Sequence, residues 1–381
     1  MKKFQNSLTY VEGEGLKKCD LLFEETIQAI GEKLSGKAEV ITLPEDAVVL
    51  PGFIDEHIHG AGGADAMDGT YEALATIAKT VAKEGTTGFL ATTMTQSVEN
   101  IKGALAAADG YIKNPASGAR LLGVHLEGPF IAAKHKGAQP LEYVAKPSVE
   151  TFDMYQKAAG GNIKIVTLAP EEEGAAELIS HLKAQGVIAS IGHSGATYQD
   201  VECAAAKGAM HITHTYNAQS PLHHREVGVV GSAMLFDSLS CELIADCIHV
   251  SVPAMKLLVK NKPQGKLILI TDAIRAKGLG DGESELGGQK VYVKNGEARL
   301  ADGTLAGSVL CMNRAVQNLV ERVGVPFEKA VDCVTKNPAV DLNVWKETGS
   351  IAKGKRADFT VLDKNYNVVM TVVGGQIVYS R

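Results

Sequence analysis

Short apolar, β-branched runs alternate eight times with longer amphipathic segments between Val48 and Ala273. The runs cover 48–59, 86–93, 120–128, 162–170, 187–194, 211–218, 240–249 and 266–273, with helix-like stretches such as 71–84, 150–159, 171–185 and 197–207 between them. Strands that are apolar almost throughout are buried on both faces, which calls for a parallel sheet with helices packed outside it. Eight such units in succession close into a barrel more readily than they spread as an open sheet. A doubly wound nucleotide-binding sheet would be expected to carry G-x-G-x-x-G after a strand, and none is present. The expected class is therefore α/β, a (β/α)8 TIM-like barrel over 51–349. Residues 1–50 and 350–381 hold short strand-like runs with glycine turn signals, as in a small β-sandwich assembled from both termini. Long loop signals fall at 129–147, 219–230 and 276–303, the last with a hairpin pattern at 290–294 and 298–301, placed above the barrel mouth.

The ends of the runs carry the chemistry. In PGFIDEHIHG, His57 and His59 are two residues apart at a strand end, and the period of two turns both to one face. Glu127 ends LLGVHLEGPF, His193 follows in VIASIGHSG, His214 in MHITHTYNA, and Asp272 in KLILITDA. In a parallel barrel the carboxyl ends of the strands are where catalytic groups collect. Histidines and carboxylates gathered there suit a divalent metal, one or two ions per chain: zinc or iron first, manganese or cobalt as alternatives. Other histidines read differently. His125 shares a strand face with Glu127 and fits a supporting or buried role, His211 is an odd number of residues from His214, and His181 lies on a helix.

Composition bounds the partners. With 381 residues, 45% of them hydrophobic, and a formal charge of -6, the chain can bury one large core and a smaller one. Mild acidity without a basic stripe argues against nucleic acid. Lys2 and Lys3 are followed by no apolar segment, so neither a membrane span nor secretion is indicated, and a cytoplasmic location is the expectation. The six cysteines form no C-x-x-C pair or regular framework and read as reduced thiols.

The motifs PGFIDEHIHG, HLEGPF, GHS, THTYNA, SPLHHRE, DCIHV, TDA and TLAGS, in this order along nearly the whole chain, resemble the N-acetylglucosamine-6-phosphate deacetylase family of the amidohydrolase superfamily. H-x-H marks the superfamily alone, whereas HLEGP, T-H-x-x-N-A with PLHHRE, and LAGS together are particular to the deacetylases. The resemblance implies hydrolysis of the acetamide of a phosphosugar, N-acetylglucosamine 6-phosphate, by a metal-dependent homodimer. By motif it makes Glu127, His193 and His214 metal ligands, with His57 and His59 holding a second ion in members that retain the pair. Asp272 becomes the catalytic acid/base. Gly63, Ala138, Gln139, Asn217, Ala218, Arg225, Asp246, His249, Leu305, Ala306 and Gly307 become substrate contacts, Arg225 reaching the neighbouring subunit's site. At Gln139 the chain departs: several members have histidine in this K-G-x-H segment, where it polarises the acetyl carbonyl.

Another cyclic amidase or deaminase of the same superfamily is the competing reading. It would be served by a lysine at the end of the fourth strand, and IKIVTLAP places Lys164 near the start instead. A non-catalytic scaffold would be expected to have lost ligands, and none is missing.

Overall fold

The computed structural model describes residues 1–381. Eight parallel strands form the central sheet: β1 (Phe53–Ile58), β2 (Thr86–Thr92), β3 (Arg120–Glu127), β4 (Ile163–Leu168), β5 (Ile188–Ile191), β6 (His211–Ile212), β7 (Ser240–Ile244) and β8 (Leu267–Ile270). Each pairs with the next, and a parallel bridge between Ile58 and Ala273 closes the ring, with Asp272 N–H bonded to His57 O at 2.8 Å. Helices α1 (Tyr71–Ala82), α2 (Val98–Lys113), α3 (Val149–Ala158), α4 (Ala175–Ala184), α5 (Tyr198–Lys207), α6 (Gly228–Leu235), α7 (Val252–Asn261) and α8 (Met312–Asn318) follow the strands in turn. The side chains of Thr70, Ser97, Ser148 and Thr197 each accept a backbone N–H of the first turn, fixing where α1, α2, α3 and α5 begin.

All residues of β1, β2, β7 and β8 are buried, as strands covered on both faces must be. Their outward side chains join the helices in one core of 68 residues. Low in the barrel, Ile54, Leu90 and Ile165 pack against Ala339 and Leu342. Above them the interior turns polar, and β1 slips register against β2 between Asp55 and Ile58. Such a bulge re-aims side chains, and both Glu56 and His57 find buried polar partners, His211 and Glu242.

Several strand boundaries differ from the sequence expectation, the seventh strand for one ending at Ile244 rather than reaching His249. Val48–Pro51 is not the start of the first barrel strand: it pairs with Phe359–Leu362 and with Leu8 and Thr9 in the terminal sheet. The apolar run 48–54 is continuous because it serves two cores, Val49 facing one and Leu50 and Phe53 the other. The sixth strand is only two residues long, since the chain turns at Thr213 rather than extending to Ala218.

The terminal sheet runs through strands 376–380, 368–373, 359–362, 48–51, 2–11, 15–23 and 27–31, with Glu39–Ile41 beside Lys2–Phe4. It encloses its own core as a small β-sandwich. Phe4, Phe23 and Phe359 meet there with ring centroids 5.0 to 5.9 Å apart. At the opposite, carboxyl end of the barrel, three antiparallel strands (282–286, 289–294, 297–300) pack Leu286, Val291 and Ala298 onto Met94, Ile274 and Ala306, adding one strand to the expected hairpin. All six cysteines are free, and no helix is long and apolar enough to cross a membrane.

Candidate metal and substrate site

Five strand ends deliver their side chains to one point. Glu127 is the hub: its Oε1 lies 3.0 Å from His214 Nε2, 3.2 Å from His193 Nε2 and 3.5 Å from His57 Nε2, and its Oε2 lies 3.3 Å from His59 Nε2. Asp272 Oδ1 completes the ring, 3.2 Å from His59 Nε2 and 3.5 Å from His57 Nε2. The ligand atoms form two compact triads, His57/His59/Asp272 and Glu127/His193/His214, each within 4.8 Å. His193, His214 and Asp272 adopt left-handed backbone, with φ of 48°, 27° and 49°. This conformation is costly for residues with a Cβ, and here it turns the chain sharply at the strand ends.

Hydrogen bonds behind the rings decide which nitrogens face inward. His193 Nδ1 donates to His135 O at 2.8 Å, and His59 Nδ1 donates to Thr92 O at 3.2 Å. His57 Nδ1 donates to Glu242 Oε2 at 2.9 Å. Carbonyls only accept, so Nε2 of each ring is left to point at Glu127, the arrangement in which imidazole binds a metal. His193 Nε2 and His214 Nε2 meet at 3.1 Å, while buried His57 Nε2 and His214 Nδ1 lack hydrogen-bond partners. Converging nitrogens flanked by carboxylates fit a divalent cation.

The electrostatics agree. Burial opposes charge on His57, yet Glu242, Glu127 and Asp272 outweigh it and raise the imidazole to about 9. His59 is raised well above its ordinary value against the same burial, by Asp272 and Glu127. Burial would raise Asp272, but His57 and His59 hold the carboxyl down at about 2. Glu127, also buried, is kept well below the carboxylate range by His57, His193, His214 and His59. The site is thus a cluster of anions holding whatever positive charge is available.

Above the cluster opens a cavity of about 320 Å³, large enough for a sugar-sized ligand. Of the sequence-nominated residues, His59, Glu127, Ala138, Gln139, His193, Asn217, Ala218, His214, His249, Asp272, Leu305 and Gly307 line it. His57 lies beneath, fully buried. Asp246 is next to the cavity: its Oδ2 accepts His249 Nδ1–H at 2.6 Å, leaving Nε2 as the ring's other nitrogen. That carboxylate raises His249 despite burial. Gln139 is committed at both ends, accepting Thr95 N–H at 2.7 Å and donating to Glu127 Oε2 at 2.8 Å.

Three nominated residues stand apart. Gly63 is exposed in the turn after Gly60–Ala61, its N–H bonded to Arg275 O. Ala306 packs into the core beneath the three-stranded sheet. Arg225 is exposed, its Nη1 donating to His224 Nε2 at 2.8 Å, and does not line the cavity of its own chain. At Gly60 a Cβ would sit 2.3 Å from Ala64 O and 2.8 Å from Arg275 N, so this glycine permits chain packing.

Lys134, His135, Met94, Leu286 and Thr304 line the cavity without having been singled out. Lys134 and His135 lie in a loop recognisable from sequence only as a loop, and Leu286 and Thr304 arrive through the three-stranded sheet. Lys164 is second in β4, at the end away from the mouth.

A parallel eight-stranded barrel with paired histidine and carboxylate triads at its carboxyl end defines a class. Residues 48–378 match the amidohydrolase family model, and the chain belongs to that family. It is 47% identical over 342 residues to the N-acetylglucosamine-6-phosphate deacetylase of Bacillus subtilis (strain 168), covering 89% of this chain and 86% of that relative. The structure is similar to the deacetylase of the same name from Pasteurella multocida, with a TM-score of 0.94 and 31% identity over the whole of both chains. It is also similar to a mutant of the Mycobacterium smegmatis enzyme in complex with N-acetyl-D-glucosamine-6-phosphate, with a TM-score of 0.93 and 28% identity over 100% of this chain and 99% of that one.

Proposed function

We propose that this protein hydrolyses the acetamide of N-acetylglucosamine 6-phosphate to glucosamine 6-phosphate and acetate. The observation that carries the reading is the pair of triads joined by Glu127 on the floor of a sugar-sized cavity. Glu127, His193 and His214 would hold one divalent ion, and His57 and His59, with Glu127 beside them, a second. A bound divalent ion supplies a Lewis acid for the carbonyl and water ionisable near neutral pH, roughly pKa 7.

Asp272 supplies the proton chemistry. Kept ionised by His57 and His59, it accepts the proton of the attacking water and delivers it to the departing sugar nitrogen, which is otherwise a poor leaving group. Gln139 holds Glu127 through its Nε2, and its second amide hydrogen is the donor this chain can offer the acetyl oxygen. His249, oriented by Asp246, presents its outer nitrogen to a hydroxyl or phosphate oxygen. Asn217 and Ala218 from one loop, with Leu305 and Gly307 from another, wall the sugar.

Arg225 has the planar fork that suits phosphate, and its exposure fits a role across a homodimer interface. Histidine and carboxylate ligands favour zinc or iron, with manganese and cobalt as alternatives. The test is acetate release from N-acetylglucosamine 6-phosphate, from the unphosphorylated sugar and from the 4-epimer phosphate, with metal content measured on the same sample. Rapid release from the phosphorylated glucosamine derivative is expected. A metal-loaded protein that releases no acetate from it would refute the assignment.

A further inference from the structure

Strand β7 carries a carboxylate for which the mechanism above has no use. Glu242 lies mid-strand, fully buried. Its Oε2 accepts two N–H groups at 2.9 Å each, the ring Nδ1–H of His57 and the backbone N–H of His214. Its Oε1 has no hydrogen-bond partner and faces His125 Nδ1 at 3.9 Å, beyond bonding range. Burying an ion costs several kcal/mol unless all its lone pairs are satisfied, so a half-satisfied carboxylate is a poor choice for stability beside Leu243 and Ile244. What its one bonded oxygen holds explains it better. His57 belongs to the triad with His59 and Asp272, whereas His214 belongs to the triad with Glu127 and His193. A single atom therefore fixes a ligand of each triad.

We infer that Glu242 is a positioning residue that sets ligand geometry in both half-sites at once, so that metal affinity at each depends on it. Through His57 Nδ1 it fixes the tautomer that turns Nε2 toward Glu127 and Asp272, and a carboxylate there makes the imidazole a better donor. Through His214 N–H it holds the left-handed turn that aims the second ring. His59 and His193 rest instead on backbone carbonyls, which no side-chain substitution removes. This inference depends on the metal reading of the two triads and not on the identity of the sugar.

The test uses Glu242→Gln and Glu242→Leu beside the parent chain. Each protein is stripped with a chelator and titrated with Co2+ without substrate, recording visible absorption and ions bound per chain. Glutamine keeps the shape and can still offer one oxygen to both N–H groups, but without charge; leucine offers none. Glu242→Gln is expected to weaken cobalt affinity by about 10- to 100-fold, with turnover recovered at excess metal. Glu242→Leu is expected to bind fewer ions per chain with an altered spectrum. Thermal unfolding of the stripped proteins reports on the fold separately: a merely structural residue would shift that transition and leave the titration unchanged. If Glu242→Gln titrates like the parent in midpoint and ion count, the inference is overturned, and this variant decides alone should the leucine variant not fold. A parent chain that binds no cobalt overturns the metal reading and the inference together. Failure of acetate release with normal cobalt binding refutes only the substrate.

Discussion

At the scale of single residues, the site is a balance of charge in which each group's state depends on its neighbours. Asp272 is ionised because His57 and His59 face it, which suits it to receive a proton. Asp272→Asn keeps the size and should keep the fold and the metal, while lowering turnover by roughly 100- to 10,000-fold, since an amide cannot carry the proton. Near-normal turnover with full metal content would remove Asp272 from the chemistry. The histidines give a second expectation. Without an ion, burial works against the proton on His57 but the surrounding carboxylates win, so the ring is protonated below about pH 9. A metal needs the neutral ring, so loading must expel that proton. Metal affinity should therefore rise with pH up to about 9 and fall as pH drops, and adding metal to stripped protein in weak buffer at neutral pH should release protons. Loading that leaves the proton count unchanged would contradict this. His57, His59 and Glu127 were visible in sequence for a different reason, as ligand-type residues standing where an apolar run stops.

At the scale of elements, the strand ends were the legible part, and the reason is geometric. A strand buried on both faces is a continuous apolar run, so its end is visible wherever a polar residue is followed by glycine or proline, as at Glu127 with Gly128 and Pro129. Glu242 was not legible, because it stands inside its run, paired to residues of β1 and of the loop after β6 that sequence does not place beside it. The extent of β6 and the shared run at Val48 were hidden likewise: hydrophobicity marks burial without saying in which core. His211, which the spacing turned away from His214, does lie among other partners, bonded to Glu56 and Ser190. The loop 304–308 shows how elements fix the site. Its Gly307 has φ of 58°, and a Cβ there would lie 2.5 Å from Ile274 Cγ2 and 2.9 Å from Asp272 O. Gly307→Ala must push the loop off the end of β8, so a loss of roughly 1–3 kcal/mol in stability is expected, with turnover reduced through displaced Asp272. Thermal unfolding and turnover measured together check it. A variant as stable and active as the parent would show that the loop bends freely.

At the scale of the whole molecule, the barrel and terminal sheet are stitched by strand 48–51, which sends Val49 to one core and Leu50 to the other. The walls of the barrel mouth are loops and the three-stranded sheet. Those walls supply the cavity with Lys134 as its lysine and His249 as a tethered imidazole, but not with Arg225, which lies exposed beyond Pro221 and Leu222. If Arg225 grips phosphate, a second copy of the chain must bring it. Arg225→Ala should then raise KM for the phosphorylated sugar far more than it lowers kcat, since a group remote from the amide binds substrate and transition state alike. Complementation makes the claim decisive. In a mixed dimer of one Asp272→Asn chain and one Arg225→Ala chain, the Arg225→Ala subunit keeps Asp272 and receives Arg225 from its neighbour. That one site is whole, while the other lacks both groups. Unfolding and refolding the two variants together should therefore restore, at low substrate, activity that neither shows alone, with half of the sites in each hybrid working. If the mixture is no more active than the sum of its parts although hybrids form, Arg225 serves its own subunit or none, and the phosphate must be held by groups within one chain such as Lys134 and His249.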